Sequence, residues 1–337
     1  MKKVSVIIVN WNGLHHLKKC LPTLFKIDYP SYEVILVDNA SSDGSQDYVR
    51  KNFKKTRVVQ NKRNLGFAGG NNVALPYVTG RYVLLLNNDT IVEKNFLTEL
   101  VESIEKESEI GVVQSKIVSM DDPTRLDSVG AFYTNTGFLF HYGYLQKNKA
   151  KYDATKYLYT AKGACMLVKK EIIEKIDLFD NNFFAYFEET DFCNRVWLAG
   201  YSVVYAPKSI IYHKVGGTSN SMDNSFIQFH SFKNRINSYC KNLEVKTLIP
   251  MLAMHIFLCE IAAISFIFKG RMDLFFAINK AFYWNLANIK ITLKLRRKIQ
   301  SKYRKVKDHD FMSKVSRNPG IRYYYSLFAK SLVGYRE

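Results

Sequence analysis

Three carboxylates fall within four residues in the segment Glu188-Glu189-Thr190-Asp191. Carboxylates held this close repel one another, so at least one of them is expected to have a raised pKa. A raised pKa suits a carboxylate that acts as a general base. Acidic residues also favour the first turn of a helix, and a helical pattern covers about 189–199. That alternative explains one or two of the acids, but less readily all three directly after the aromatic run 183–187.

Another carboxylate, Asp89, follows the apolar run 83–86 and two asparagines. A carboxylate at the exit of a buried strand is costly unless it is paired or binds a cation. An oxygen ligand in this position suits Mg²⁺ or Mn²⁺ that is shared with a diphosphate. His213 follows another strand-like segment, and the flexible glycines 216–217 behind it would let it meet such an ion. The plainer alternatives are a turn aspartate and a packed or surface histidine.

Two segments nearer the N-terminus have the character of a nucleotide site. Asp38 ends a predicted strand and precedes small residues, so it is placed to accept a hydrogen bond from a base or a ribose hydroxyl. The alternative is an Asx-turn residue that caps the next helix. The segment 63–72 is a glycine-rich loop that leads into a helix, where free backbone N–H groups favour phosphate. Its glycine spacing is neither a dinucleotide fingerprint nor a P-loop.

The elements that would position these side chains alternate between strand and helix. The strand-like apolar runs are 4–9, 34–37, 58–59 and 82–86. The helical patterns between them are 14–25, 46–53 and 69–78. Such an order predicts a parallel sheet that is covered by helices on both faces and binds ligands beyond the carboxyl ends of its strands. Asn10, Asp38 and residues 87–89 stand at those ends, which predicts a nucleotide-binding face.

The later part of the chain is helical and basic. A polar-aromatic helix is predicted at 226–242, and apolar stretches follow at 251–268 and 274–286. Of the net charge of +19, the segment from Lys290 to Glu337 carries 14 Lys and Arg against 3 acids. Such a tail suits an anionic lipid surface or nucleic acid, and a solvated basic helix is the plain alternative.

The stretch 251–268 is at the lower limit of a membrane-spanning length and contains His255 and Glu260. Because a charge at mid-membrane is costly, we predict helices that lie on the membrane surface or dip into it. A true span and a packed extension that supports a homo-oligomer are the alternatives. The five scattered cysteines show no paired spacing, and the run 4–9 is too short for a signal peptide. A cytoplasmic protein, peripheral at the inner face of the cell membrane, is therefore expected.

The order of these segments, more than any one of them, resembles a known family. The family is that of the family-2 inverting glycosyltransferases of GT-A fold, particularly its rhamnosyltransferase-like and galactofuranosyltransferase-like branch. The resemblance covers about 3–245 and rests on the segments 4–12, 38–45, 64–72, 86–90 and 188–195 together with His213. It implies an α/β fold, with a Rossmann-like and mostly parallel sheet. Residues 1–110 would bind the nucleotide sugar, 111–245 would hold the acceptor and catalytic part, and 246–337 would form a helical extension.

The resemblance also implies roles for individual residues. Asp38 would recognise uracil or thymine, and Asn10 and Asn12 would line the nucleotide pocket. Asp89 matches the metal-binding aspartate, for Mg²⁺ or Mn²⁺, although Asn87 replaces the first acid of that motif. The remaining residues expected in the nucleotide-sugar site are Asn64, Gly66, Gly69, Asn71 and Asn88.

His213 matches the family's third metal-site position. By position Glu189 would be the general base, but members usually have aspartate there, so Asp191 is a rival and Glu188 a third candidate. The segment 163–165 resembles the loop on the acceptor side. The expected reaction is an inverting transfer of rhamnose or a hexose from a UDP- or dTDP-sugar to a hydroxyl of a glycan or lipid-linked acceptor, in cell-surface polysaccharide biosynthesis.

Two rivals are a sugar nucleotidyltransferase, which would release pyrophosphate, and a nucleic-acid-binding protein. Against the second, the positive charge lies in the tail, whereas the strand ends carry acids that repel phosphate in the absence of a metal ion. We therefore expect no nucleic-acid partner.

Overall fold

The computed structural model describes residues 2–214, 216 and 223–326. Its first hundred residues alternate strands and helices as the sequence predicts. The strands are β1 (Val4–Asn10), β2 (Tyr32–Asp38), β3 (Thr56–Gln60), β4 (Tyr82–Leu86) and β5 (Thr90–Val92). The helices are α1 (Leu14–Leu24), α2 (Ser45–Asn52), α3 (Gly66–Ala74) and α4 (Phe96–Glu105).

The middle of the chain adds mainly strands. These are β6 (Ile110–Ser119), β7 (Leu126–Ser128), β8 (Ala131–Phe132), β9 (Phe140–His141), β10 (Lys156–Tyr157), β11 (Cys165–Lys169) and β12 (Ser202–His213). The helices are α5 (Lys170–Ile176) and α6 (Glu188–Leu198). The helix predicted at about 189–199 is thus present, and it begins on the acidic segment itself.

One central sheet has the strand order β10-β12-β6-β11-β4-β1-β2-β3, with β5 on β12 and β7 on β6. The strands β4, β1, β2 and β3 are all parallel, as predicted for the nucleotide-binding half. Strand β11 runs antiparallel between β4 and β6, so the second half of the sheet is mixed. This pairing joins segments that are distant in the sequence, which is why the local apolar pattern did not reveal it.

Two apolar layers cover the sheet, because successive side chains of a strand point to opposite faces. Ile7 and Leu85 belong to one layer, whereas Val6, Ile8 and Leu84 belong to the other. All five side chains are fully buried. The α/β prediction with helices on both faces is confirmed.

The C-terminal part is helical, as predicted. Its helices are α7 (Asn224–Asn242), α8 (Val245–Phe268), α9 (Met272–Ala287), α10 (Ile289–Lys298), α11 (Asp308–Val315) and α12 (Ile321–Ser326). Helix α8 begins before Pro250, earlier than the apolar stretch suggested. Asp308 accepts a hydrogen bond from the Glu244 backbone N–H at 2.7 Å, and Glu244 accepts one from the Asp308 backbone at 3.0 Å. The C-terminal helices pack against the part of the chain that precedes them. The domain boundary near residue 245 therefore stays a prediction.

Within the described residues, α8 is the one helix long and apolar enough to cross a membrane. One stripe of it is buried in the protein, formed by Met251, His255, Cys259, Ala262, Ala263 and Phe266. Four of these residues, Cys259, Ala262, Ala263 and Phe266, pack in a cluster with Phe138 from the middle of the chain and Phe232 from α7. Gly217 and the part of the basic tail at 327–337 lie outside the described residues.

The five cysteines form no disulfide. Four of them are buried and Cys240 is half-buried. Burial raises the pKa of Cys20, Cys165 and Cys193 to about 12 and that of Cys240 to about 11. Thiols with such pKa values stay protonated and unreactive.

Candidate active site

The ends of β1 and β2 bring Asn10 and Asp38 together, since the two residues are register partners in the sheet. Asn10 Nδ2 donates to Asp38 Oδ2 at 3.2 Å, and the other carboxylate oxygen accepts from Ser41 N at 2.8 Å and from Gln46 Nε2 at 2.6 Å. Asp38 is completely buried. The carboxylate therefore shapes the turn after β2 but does not cap α2, whose N-cap residue is Gly44, and it stands at the edge where a nucleotide would bind.

The neighbouring asparagines belong to the same hydrogen-bonded group. Asn88, after β4, donates to Asn10 Oδ1 at 2.8 Å. The Asn12 backbone N–H donates to Ser41 Oγ at 2.9 Å, and the Asn12 side-chain oxygen accepts from Ser42 N at 2.8 Å. The structure thus places the polar ends of the three neighbouring strands β4, β1 and β2 in one cluster.

The glycine-rich loop contacts the segment that carries the acidic residues. Gly66 has a φ of +70°, and a Cβ atom at this position would lie 2.1 Å from the Phe184 carbonyl oxygen. Asn64 Oδ1 accepts from Gly66 N at 2.8 Å, which fixes the turn that precedes α3. Gly69 and Asn71 lie inside α3, where Asn71 bonds the carbonyl of the preceding turn. This loop therefore positions the 183–187 segment as well as facing the nucleotide edge.

Asp89 and His213 meet, as their predicted shared role requires. Asp89 Oδ1 and His213 Nε2 are 3.2 Å apart, in an ion-pair arrangement that makes no hydrogen bond to that oxygen. The other ring nitrogen, Nδ1, lies 2.8 Å from Asp127 Oδ2. Burial alone would lower the pKa of His213, but the two carboxylates outweigh it and raise that pKa to about 9. The histidine is therefore protonated at neutral pH in the metal-free chain.

The fit of a divalent ion to this pair rests on two protein ligands. Asp89 Oδ1 is buried without a hydrogen-bond donor, and His213 Nε2 faces it. Among the described residues, no group of three or more His, Cys, Asp or Glu side chains is arranged to hold a metal ion. A cation between Asp89 and His213 would thus need further oxygen ligands, which a diphosphate has.

The three acids of the 188–191 segment lie in different environments. Glu188 is buried, and burial together with the neighbouring Glu189 carboxylate raises its pKa well above the ordinary value. Glu189 is half-buried, and its Oε1 accepts from Gly163 N at 3.4 Å. The acceptor-side loop and Glu189 are therefore in contact.

Asp191 is completely buried in a network of basic and amide groups. Its Oδ2 lies 3.1 Å from Arg195 Nε, and its Oδ1 lies 3.2 Å from Lys241 Nζ and 2.9 Å from Asn242 Nδ2. Burial opposes its ionisation, but Lys241 and Arg195 lower the pKa of Asp191 to about 2. Arg195 also donates to the carbonyls of residues 176–178. This carboxylate ties α6 to α7 and to the segment before the aromatic run.

Tyr186 and Phe187, which directly precede Glu188, both have a left-handed backbone conformation, although neither is a glycine. Tyr186 has a φ of 72° and Phe187 a φ of 70°. Each costs about 1–3 kcal/mol and persists only where its surroundings hold it. Asn234 of α7 does so, because its Nδ2 donates to the carbonyls of Ala185 at 3.0 Å and Tyr186 at 2.7 Å.

Backbone contacts join the separate groups into one site. The Asn87 N–H donates to the Ala164 carbonyl at 3.0 Å, so the loop that carries Asp89 adjoins the acceptor-side loop. Gly163 in that loop contacts Glu189. The nucleotide edge, the Asp89–His213 pair and the acidic segment are thus neighbours along one side of the sheet.

The sequence interpretation missed Asp127, Lys162, Asn234 and Lys241. Lys162 Nζ donates to both Asp127 oxygens, at 2.9 and 2.8 Å. Asp127 stands alone in a three-residue strand, so no spacing marks it. Asn234 and Lys241 are polar positions of a helix whose buried set includes nine consecutive residues, 231–239, and periodicity alone cannot predict such continuous burial.

The sequence also matches those of known proteins. Residues 5–177, just over half of the chain, match the sequence profile described as Glycosyl transferase family 2. The chain belongs to this glycosyltransferase family. The resemblance inferred from the ordered segments is confirmed.

Relatives of this family-2 glycosyltransferase include two curated proteins. The low-salt glycan biosynthesis hexosyltransferase Agl10 of Haloferax volcanii is 24% identical over 237 residues, which are 69% of this chain and 74% of Agl10. The rhamnosyltransferase WbbL of Escherichia coli K12 is 27% identical over 248 residues, or 67% of this chain and 89% of WbbL. Homologues of this family act in cell-surface glycan biosynthesis.

The fold is also that of solved glycosyltransferases. The mannosyltransferase PcManGT of Pyrobaculum calidifontis, solved with GDP-Man and Mn²⁺, aligns with a TM-score of 0.54 at 16% identity. The alignment covers 87% of this chain and 78% of that one. The GT-A fold of the family-2 glycosyltransferase, including its helical C-terminal part, is therefore confirmed.

The Gly66 contact predicts a strong effect of one methyl group. Gly66→Ala is expected to lower the free energy of unfolding by about 1–2 kcal/mol for the left-handed backbone and by about 1–3 kcal/mol more for the clash with Phe184. Gly44→Ala is the matched control, because Gly44 also has a positive φ, of +80°, but has no atom within 4 Å of an added Cβ. Denaturant unfolding of both variants measures the difference. Equal destabilisation would contradict the packing role of Gly66.

Proposed function

We propose that this glycosyltransferase transfers a sugar, with inversion, from a nucleoside diphosphate donor to a hydroxyl of a glycan or lipid-linked acceptor, and that it needs a divalent metal ion. The observation that carries the proposal is the contact between three groups: the Asn10, Asp38 and Asn88 edge, the Asp89–His213 pair, and Glu189 beside the acceptor-side loop. A donor bound along this edge would present its anomeric carbon between the metal pair and the base. One displacement then inverts the configuration without a covalent nucleophile.

Within the acidic segment, Glu189 is the residue we propose as the general base. A base must be ionised and must reach the acceptor hydroxyl. Asp191 is ionised, but both of its oxygens are engaged by Arg195, Lys241 and Asn242 away from solvent. Glu188 is buried, and the resulting rise in its pKa disfavours the ionised form that a base needs. Glu189 is half-buried and adjoins Gly163, so its carboxylate is placed to take the proton as the acceptor oxygen attacks.

Amide substitutions separate the three acids. Glu189→Gln is expected to lower kcat by about 10²–10⁴-fold while the unfolding free energy stays unchanged, because only the proton acceptor is lost. Asp191→Asn is expected to lower the unfolding free energy by about 3–5 kcal/mol, because it leaves buried cations unpaired. Glu188→Gln replaces a carboxyl of raised pKa by its neutral isostere and should keep its stability.

The measurements are initial transfer rates and thermal unfolding of the same protein preparations. Wild-type transfer by Glu189→Gln would refute the base assignment. A loss confined to Glu188→Gln would move the role of base to Glu188.

The Asp89–His213 pair is the proposed metal site, and Mg²⁺ or Mn²⁺ is the proposed cofactor. When bound, a divalent ion supplies positive charge that stabilises the departing diphosphate. Asp89 provides the buried carboxylate oxygen, and His213 provides Nε2 after losing its proton. Asn87, where the family motif has its first acid, adds no charge, so the protein contributes less charge to the ion than a pair of aspartates would. The fold neighbour PcManGT was solved with Mn²⁺, which supports a divalent metal ion as the cofactor.

Removal of the metal ion tests the proposed cofactor. Excess chelator is expected to reduce transfer by on the order of 100-fold, and added Mn²⁺ or Mg²⁺ should restore it, because the leaving-group charge is otherwise unbalanced. Asp89→Asn should reduce transfer in the presence of the metal ion. Full activity in excess chelator would remove the metal ion from the mechanism.

The donor base, uracil or thymine, and the sugar stay predictions. Asp38 supports recognition of a base N–H through its place at the nucleotide edge. The product distinguishes the rival chemistry, since a glycosyltransferase releases a nucleoside diphosphate whereas a nucleotidyltransferase releases pyrophosphate.

The C-terminal helices support a peripheral membrane location, which we propose to be at the cytoplasmic face. Opposite the buried stripe of α8, large apolar side chains are exposed, including Phe257 at 60% and Phe268 at 87%. Phe276 and Leu286 of α9 add exposures of 60% and 71%. Exposed basic residues accompany them on α8, α9, α10 and the turn after α8: Lys246, Lys269, Lys280, Lys290, Lys294 and Arg297. Apolar insertion with basic headgroup contacts is typical of helices that lie in an anionic membrane surface.

The packing of α8 favours lying over spanning. Its buried stripe contacts Phe138 and Phe232, so a span would draw the middle of the chain and α7 into the bilayer. A second copy of the chain is the other occupant that would cover the exposed face. We propose the lipid surface because of the accompanying basic residues.

Vesicle co-sedimentation tests the membrane face. The double variant Phe257→Ser/Phe268→Ser is expected to bind anionic phospholipid vesicles at least tenfold more weakly, since a buried phenylalanine contributes about 1.5–3 kcal/mol. Tyr77→Ser, at a residue 40% exposed in the nucleotide-binding half, is the control and should bind normally. A wild-type chain that dimerises through this face and ignores anionic vesicles would contradict the proposal.

A further inference from the structure

A line of alternating charges leads away from the proposed metal site. It runs from Asp89 to His213 at 3.2 Å, from His213 to Asp127 at 2.8 Å, and from Asp127 to Lys162 at 2.8 Å. The four side chains come from the loop after β4, the end of β12, strand β7 and the loop before β11. Asp127 is completely buried, so water does not compete for its oxygens. The proposed metal site uses Asp89 and His213 as ligands. It gives no role to the other two side chains, Asp127 and Lys162.

The two nitrogens of His213 face different partners. Nδ1 points to Asp127 Oδ2, whereas Nε2 points to Asp89 Oδ1, the buried oxygen that receives no hydrogen bond. A carboxylate that accepts from Nδ1–H keeps that proton on Nδ1 and leaves Nε2 free to bind a cation. It also fixes the plane of the ring. The second carboxylate therefore acts on the face of the imidazole that the metal ion does not use.

Lys162 balances the charge of Asp127. Its Nζ donates to both carboxylate oxygens, at 2.9 and 2.8 Å. A buried carboxylate without such a partner would be strongly disfavoured. The lysine also restricts the orientation of the carboxylate, because Oδ2 must serve both Lys162 and His213. The backbone of Lys162 is held in turn by Gln114 Oε1 at 2.7 Å, so the whole line is anchored to β6.

We propose that Asp127 is a positioning residue that sets the tautomer and orientation of His213 for a divalent cation, with Lys162 as its counter-ion. The proposal rests on the proposed metal site at Asp89 and His213. It assigns Asp127 no contact with the metal ion or the substrate. It also explains why a lone aspartate in a three-residue strand is buried beside a histidine and a lysine.

The substitution Asp127→Asn tests this positioning role. It replaces one hydrogen-bond acceptor with a donor and leaves the size of the side chain almost unchanged. Lys162 would take the amide oxygen, so the amide nitrogen would donate to His213 Nδ1 and the ring proton would move to Nε2, the atom that a cation needs. We expect the affinity for Mn²⁺ to fall by about 10–100-fold. The probe is Mn²⁺ itself, titrated into the full chain, with the free ion followed by its electron paramagnetic resonance signal.

A double-mutant cycle shows whether Asp127 acts through the histidine. His213→Ala is expected to weaken Mn²⁺ binding, and Asp127→Asn should add no further loss in that background. Asp308→Asn is the matched control, because Asp308 is also a buried aspartate, paired with Arg304 at 2.9 Å among the C-terminal helices. It should lower thermal stability and leave the Mn²⁺ affinity unchanged.

If Asp127→Asn alone does not fold, Asp127→Leu/Lys162→Met removes both charges of the buried pair together with the acceptor of Nδ1–H, and it should show the same loss of Mn²⁺ affinity. An unchanged affinity in the folded variant, or losses that add in the His213→Ala background, would overturn the positioning role and leave the metal site standing. A wild-type chain that takes up no Mn²⁺ would instead refute the metal site, and the role of Asp127 with it.

Discussion

The buried carboxylate of Asp191 holds together the elements that surround the candidate active site. Fully buried, it is stable only because Arg195, Lys241 and Asn242 surround it. Those contacts join α6 to α7, and Arg195 extends them to the carbonyls of residues 176–178. The start of α6 is thereby fixed in space, and with it the half-buried Glu189. The ion pairs of Asp191 thus help to determine where the neighbouring Glu189 stands.

Local pattern was enough to predict the nucleotide-binding half and the order of its polar strand ends. The strands β1, β2 and β4 are mainly apolar runs, β3 contributes Val58 and Val59, and parallel pairing follows from the helices between them. Strand β11 was beyond such reasoning, because its partners β4 and β6 come from distant segments and the pairing depends on tertiary contacts. The division of labour among Glu188, Glu189 and Asp191 was also hidden. Burial and ion pairing separate them, and neither can be read from three adjacent acids.

The comparisons show how little of the sequence the fold requires. PcManGT shares the architecture at 16% identity, because a buried sheet accepts many apolar residues of suitable size. The polar groups are less exchangeable. Asn10, Asp38 and Asn88 bond one another across three strands, so a change in one leaves another buried and unsatisfied. Asn87 lies in a loop, where its backbone N–H donates to the Ala164 carbonyl.

The left-handed pair Tyr186 and Phe187 sets a limit on how this enzyme can evolve. Glycine at Tyr186, which is half-buried, would adopt the same turn without steric cost, so selection for heat resistance would favour it. Glycine at Phe187 would instead destabilise the protein, because the fully buried ring packs against Tyr239 and its loss would leave a cavity that costs about 3–5 kcal/mol. Glycine at Tyr186 would also free the backbone that now directs Glu189 toward Gly163, so thermal stability and the placement of Glu189 compete at this position. Homologues that are selected for both heat resistance and activity are expected to gain their stability elsewhere, in the apolar layers that flank the sheet.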